Sequence, residues 1–223
     1  MPLTTHQIKQ LDAAIKAYSF PAVYYDFKCN RVKLEPSMLT VENIVGGQLR
    51  SLDIDDVKFG LANVLYWGYS QIGYGITRVN IFLNNITPFK LDAFQGLLVG
   101  NKIPRLADVK HIQMPQFSGM SFVSKVLMFL DPVKYCVLDQ KIAMLRTQSS
   151  PKALNRLVFR PKATQIRISR NNEAVYDQWR DECLAINSMY FQASYRAVDI
   201  ERGFFELIQH GSLSTAQSIY TNA

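Results

Sequence analysis

The stretch "MPQFSGMSFVSKVLMFLDPVKYCVLDQKIAMLR", Met114 to Arg146, decides how this chain is read. It opens on a short turn, Pro115-Gln116-Phe117-Ser118-Gly119, between two helical patterns. The first, "PRLADVKHIQM" at about 104–113, starts on Pro104, a residue suited to a helical N1 position. The second, at about 119–131, is apolar almost all round, which is the mark of a buried helix. Its polar residues Ser121, Ser124 and Lys125 stand at i, i+3 and i+4, so they form one narrow seam on one face. A lysine on such a helix has to find a partner, snorkel to water or titrate. Pro132 then breaks the pattern. Asp139 follows the apolar triplet Cys136-Val137-Leu138 and is placed to open a further helix at about 139–147, where an aspartate is most often a cap.

Outward from this stretch the chain of 223 residues reads as mostly α. Apolar residues recur at helical spacing over 5–18, from Asp53 to Trp67, over about 77–86 and over 88–98. "EAVYDQWRDECLAINSMY", Glu173–Tyr190, is a further helix, with Asn171 or Asn172 as its cap. "AVDIERGFFELIQ", Ala197–Gln209, reads as the closing helix. "TQIRIS", Thr164–Ser169, alternates like a short strand. Residues 20–50, rich in Tyr and Pro and ending in Gly46-Gly47, give no clear period. No internal repeat stands out.

Composition narrows the class of protein. Nearly half of the residues, 48%, are hydrophobic, enough for a folded core. The formal net charge of +7 suits a polyanion partner as well as it suits an ordinary solvated basic surface. Lys152, Arg156, Arg160, Lys162, Arg167 and Arg170 concentrate that charge. Cys29, Cys136 and Cys183 are three and far apart, giving neither a disulfide framework nor metal spacing, so buried free thiols are expected. His6, His111 and His210 make no metal pattern. No apolar run reaches the roughly 18 residues of a membrane span and no leader-like segment opens the chain, so a cytoplasmic protein is expected.

A turn with Gly119 ahead of an apolar helix, followed by an aspartate opening the next element, resembles the helix-hairpin-helix DNA glycosylase superfamily. "LMFLDPVKYCVLDQKI" carries the likeness in spacing and character. "YRAVDIERGFFELI" and "ANVLYWGYSQIGYG" further resemble bacterial 8-oxoguanine DNA glycosylase-like proteins, some of whose relatives look like anti-phage enzymes that remove hypermodified bases. The resemblance implies a two-lobed, mostly α fold, with 1–223 as one glycosylase-like unit and 100–147 as the hairpin and catalytic segment. It implies a monofunctional DNA N-glycosylase that flips a modified base out of duplex DNA and excises it, in repair or antiviral defence. Oxidised guanine and a bulky phage base such as glucosylated hydroxymethylcytosine are the two substrate classes in view.

Under that resemblance Asp139 is the catalytic carboxylate, acting on water or on the cationic sugar. Backbone amides of Ser118, Gly119 and Met120 would hold a phosphate. Ser121, Gln140 and Lys141 join them as DNA-binding candidates. Phe117, Tyr66, Trp67, Tyr69 and Tyr74 are the candidates for a base pocket, although each aromatic taken alone is more often core. Two departures stand out. Phe117 replaces the first glycine of the family's Gly-x-Gly hairpin, and Ser121 stands where bifunctional members place their Schiff-base lysine. Lys125 lies one turn on, about 6 Å away, and is kept as a candidate nucleophile or phosphate contact. No metal or cofactor is expected. Three scattered cysteines cannot hold the iron–sulfur cluster of some relatives. The expected state is a monomer. The alternatives are a hairpin protein that binds DNA without chemistry and, further off, an RNA-binding or protein-interaction helical domain.

Overall fold

The computed structural model describes residues 2–147, 151–159 and 163–223. These residues hold ten α-helices and one two-stranded sheet, and they cluster into two compact units. One unit is continuous, Phe20–Asp131, and the other joins Met1–Ser19 to Pro132–Ala223. The boundary at Asp131-Pro132 falls inside the segment 100–147, directly after the apolar helix.

The continuous unit begins with β1 (Val23–Asp26) and β2 (Arg31–Leu34), an antiparallel hairpin. The Asp26 carboxylate accepts the Lys28 and Cys29 amides and so closes the turn. Then come α2 (Met38–Leu49), α3 (Ile54–Tyr69), α4 (Gly75–Asn85), α5 (Pro88–Leu97), α6 (Leu106–His111) and α7 (Met120–Leu130). Ser37 caps α2 and Asp53 caps α3, each through its side chain. Proline opens α5 at its first turn. α3 is the hub, packing on α2, α4, α5 and α7. Burial of Val57, Leu61, Val64 and Leu65 against Val126 and Phe129 makes the core.

In the other unit α1 (Thr5–Lys16) starts on a capping box between Thr4 and Gln7. α8 (Arg170–Phe191), α9 (Ala197–Gln209) and α10 (Leu213–Asn222) complete it. α9 packs on α1, α8 and α10. Trp179, Phe204 and Tyr220 meet there with ring centroids 5.4–6.0 Å apart.

Several sequence expectations change. Residues 20–50 form the hairpin and α2 rather than an unassigned tract. The first hairpin helix starts at Leu106, so Pro104 precedes it. The helix expected over 139–147 is only a 3₁₀ turn, Ile142–Leu145, although the Asp139 side chain accepts the Lys141 and Ile142 amides as a helix cap would. Thr164–Ser169 is not a strand of the sheet. Ser169, not Asn171 or Asn172, caps α8, accepting the Asn172 amide at 3.3 Å. Asn172 instead spends its side chain on the backbone of Val158 and Arg167. α10 follows the helix expected to close the fold. Cys29 is exposed rather than buried. Cys136 and Cys183, distant in sequence, bring their sulfurs to 4.0 Å. No helix among the described residues is long and apolar enough to cross a membrane.

Candidate functional site

The hairpin and the carboxylate belong to different units, and each has its own surroundings. Between α6 and α7 the chain turns through Gln113 and Gln116 with φ of 55° and 70°. A left-handed backbone costs a non-glycine residue about 1–2 kcal/mol, so something must hold this turn. Lys90 on α5 donates its Nζ to the Gln113 carbonyl at 2.7 Å. Arg78 on α4 donates from a guanidinium nitrogen to Gln116 Oε1 at 3.2 Å. Within the turn the Phe117 amide bonds to the Met114 carbonyl at 3.2 Å, and Phe117 itself is buried against Phe82. Gly119 is the N-cap of α7 and brings no side chain to it. Met120 is buried, and Ser118 is exposed.

The polar seam of α7 lies mostly inside the fold. Ser124 is fully buried, its hydroxyl donating to the Ser121 carbonyl. Lys125 is 6% exposed, and its Nζ donates to Ser121 Oγ at 3.1 Å. The same Nζ sits 5.4 Å from the Phe122 ring centre. Gly68 of α3 makes room for this arrangement. A Cβ at that position would stand 2.6 Å from Phe122 and 3.3 Å from the Lys125 stem. Tyr69 rests on Phe122 at 4.6 Å, and the Arg78 guanidinium lies 5.4 Å over the Tyr69 ring. Burial pushes the Tyr69 hydroxyl up, with the Arg78 charge acting against it. Half-buried Arg78, Tyr69, Phe122 and Ser121 thus gather with buried Lys125 at the start of α7.

The remaining aromatic candidates part company. Trp67 is core, between Phe20 and Phe129, with its indole N–H on the Pro21 carbonyl at 3.2 Å. Phe117 is core as well, so neither ring presents a face to a pocket. Tyr66 is half-buried against Tyr25, and burial pushes its hydroxyl up. Tyr74 is exposed at the start of α4.

In the other unit, Asp139 follows three fully or nearly fully buried residues, Cys136, Val137 and Leu138. Two aromatic donors on α8 fix that run. The Tyr176 hydroxyl donates to the Cys136 carbonyl at 3.0 Å and the Trp179 indole N–H to the Val137 carbonyl at 3.1 Å. Asp139 Oδ1 accepts the amides of Lys141 at 3.0 Å and Ile142 at 3.1 Å. The carboxylate is therefore held by the backbone that follows it, and the run that precedes it is held by α8. Its charge reaches Tyr18 at the end of α1. Burial first, then Glu201 and Asp139, push the Tyr18 hydroxyl up, while Arg202 opposes them.

Lys141 is committed locally. Its Nζ bonds to Gln209 Oε1 and lies 4.5 Å over the Phe205 ring. Gln140 is exposed and donates to the Ala163 carbonyl. Of the basic tract, Arg156, Arg167 and Arg170 are exposed, Lys152 lies 5.8 Å from the Tyr220 ring, and Arg160 and Lys162 fall outside the described residues. Sequence reasoning missed Arg78, Lys90, Phe122, Tyr176 and Trp179. The hydrogen bonds of Arg78, Lys90, Tyr176 and Trp179 join positions from 23 to 42 residues apart, and only Trp179 and Tyr176, as polar-tipped aromatics on an apolar helix face, gave any local signal.

Comparisons of the chain with protein-family models, curated proteins and solved structures found no match.

Proposed function

We propose that this chain is a DNA N-glycosylase that excises a modified base from duplex DNA. One observation carries the reading. Asp139 is a carboxylate delivered by a buried apolar run, with two amides on its Oδ1 and with Tyr176 and Trp179 holding the Cys136 and Val137 carbonyls of that run. A negative charge fixed in this way needs no reorganisation as positive charge grows at C1′, and preorganisation of that kind is what lowers such barriers. The C1′–N bond breaks, the base departs with its electron pair and takes up a proton, and a water oxygen bonds to C1′. Asp139 stabilises the cationic sugar and takes the water's proton.

The α6–α7 hairpin supports the binding half of the reading, with the Ser118–Met120 backbone at a phosphate and the +7 net charge favouring a polyanion. The product is an abasic site, because Ser121 occupies the place of the family's Schiff-base lysine. Lys125 spends its ammonium on Ser121 and serves the hairpin rather than the sugar. The substrate is oxidised guanine or a hypermodified phage base, and the enzyme acts as a cytoplasmic monomer.

The two amides on Asp139 Oδ1 also favour a rival, a hairpin protein in which Asp139 is only a cap. Asp139→Asn separates the two, because an asparagine oxygen still accepts both amides but carries no charge. The expected result is a loss of base release of at least about a hundredfold with duplex affinity and melting temperature kept. Undiminished release in that variant overturns the assignment.

A further inference from the structure

We infer that Arg78 and Lys90 are positioning residues for the hairpin, reaching from α4 and α5 to clamp the 113–116 turn in its DNA-binding shape. The inference rests on the reading that the hairpin meets DNA, and it assigns roles to two cations that lie outside the hairpin itself.

Two observations meet at this turn. Gln113 and Gln116 both hold a left-handed backbone, with φ of 55° and 70°. Neither is glycine, so the conformation persists only where surroundings over-determine it, and such residues concentrate at functional sites. The surroundings are the two cations. Lys90 Nζ reaches the Gln113 carbonyl at 2.7 Å, and the Arg78 guanidinium reaches Gln116 Oε1 at 3.2 Å. Long basic side chains at a surface ordinarily keep their rotamer freedom and stay in water. Here both give a donor to the same four-residue turn from different helices.

Arg78 is further fixed by the Tyr69 ring 5.4 Å away, which itself rests on Phe122 in the first turn of α7. The clamp therefore connects the turn to the helix start that the turn leads into. A cation acting this way changes DNA affinity through the shape of the turn. A cation that touches a phosphate changes it through counterion release, which appears in the salt dependence.

The test measures affinity for a labelled duplex at several salt concentrations for the full chain and for Lys90→Met and Arg78→Met. The expected result is a weakening of about three- to tenfold at each salt, with the slope of log affinity on log salt unchanged. Melting temperatures should stay those of the unaltered protein, and amide hydrogen exchange over 113–119 should quicken while exchange in α3 does not. A slope reduced by about one marks a direct phosphate contact and overturns the inference. Unchanged affinity or unchanged exchange in the turn overturns it too. Failure of the unaltered protein to bind the duplex instead overturns the functional reading on which the inference stands.

Discussion

Asp139 and Lys125 come from the same hydrophobic stretch, yet their neighbours give them different chemistry. Lys125 is a buried ammonium paired with a serine hydroxyl, whereas Asp139 is half-buried and held by main-chain amides. The order of Cys136-Val137-Leu138-Asp139 made the delivery of a carboxylate legible in sequence. The donors that steady it, Tyr176 and Trp179, were not, because helix periodicity marks them as core and says nothing of where their O–H and N–H groups go. A second aspartate governs behaviour in acid. Burial of Asp199 disfavours its charge, but hydrogen bonds and the ion pair from Arg196, with Arg202 adding, outweigh burial and hold its carboxyl below the usual value of 3.8. The unfolded chain then binds that proton more readily than the folded one. The stabilisation is present in full above the unfolded value and is lost as pH falls through the folded one. Asp199→Asn is expected to flatten the fall of melting temperature below about pH 5. An acid limb identical to that of the unaltered protein would contradict this.

Among the elements, α2 shows where sequence reasoning failed and why. Residues 20–50 show no clear period, and Gly46-Gly47 adds no helix signal, since glycine weakens a helix interior. In the fold the pair sits inside α2, and only one of the two is needed. A Cβ at Gly46 would stand 2.5 Å from the Phe129 carbonyl oxygen of α7, while one at Gly47 meets nothing within 4 Å. The close approach of α2 to α7, invisible in a local window, explains the first glycine. Gly46→Ala is expected to destabilise the protein by about 1–3 kcal/mol, through overpacking against backbone that cannot yield. Gly47→Ala should be neutral or stabilise by up to about 1 kcal/mol through helix propensity. Chemical denaturation of the two variants checks this, and equal effects would contradict the packing. The apolar helix α7 was legible almost to its ends because nothing competes with so strong a pattern. The α-helix expected after Asp139 is instead the 3₁₀ turn Ile142–Leu145, and nothing in the local sequence pattern marked so early an end.

At the scale of the whole chain, the mostly α composition and the break at Pro132 were both readable, and the break is where one compact unit gives way to the other. That the first 19 residues join the C-terminal ones was not readable, since it depends on Gly203 of α9 admitting Leu11 and Ile15 of α1. Base release is the chemistry at issue, and one measurement reaches it directly. The purified protein is incubated with genomic DNAs that differ in base modification, including oxidised DNA and glucosylated phage DNA, and free bases are identified by mass spectrometry. One class of modified base is expected to appear in solution, with abasic sites left in the same DNA. DNA that is bound but releases no base from any of these substrates would contradict it.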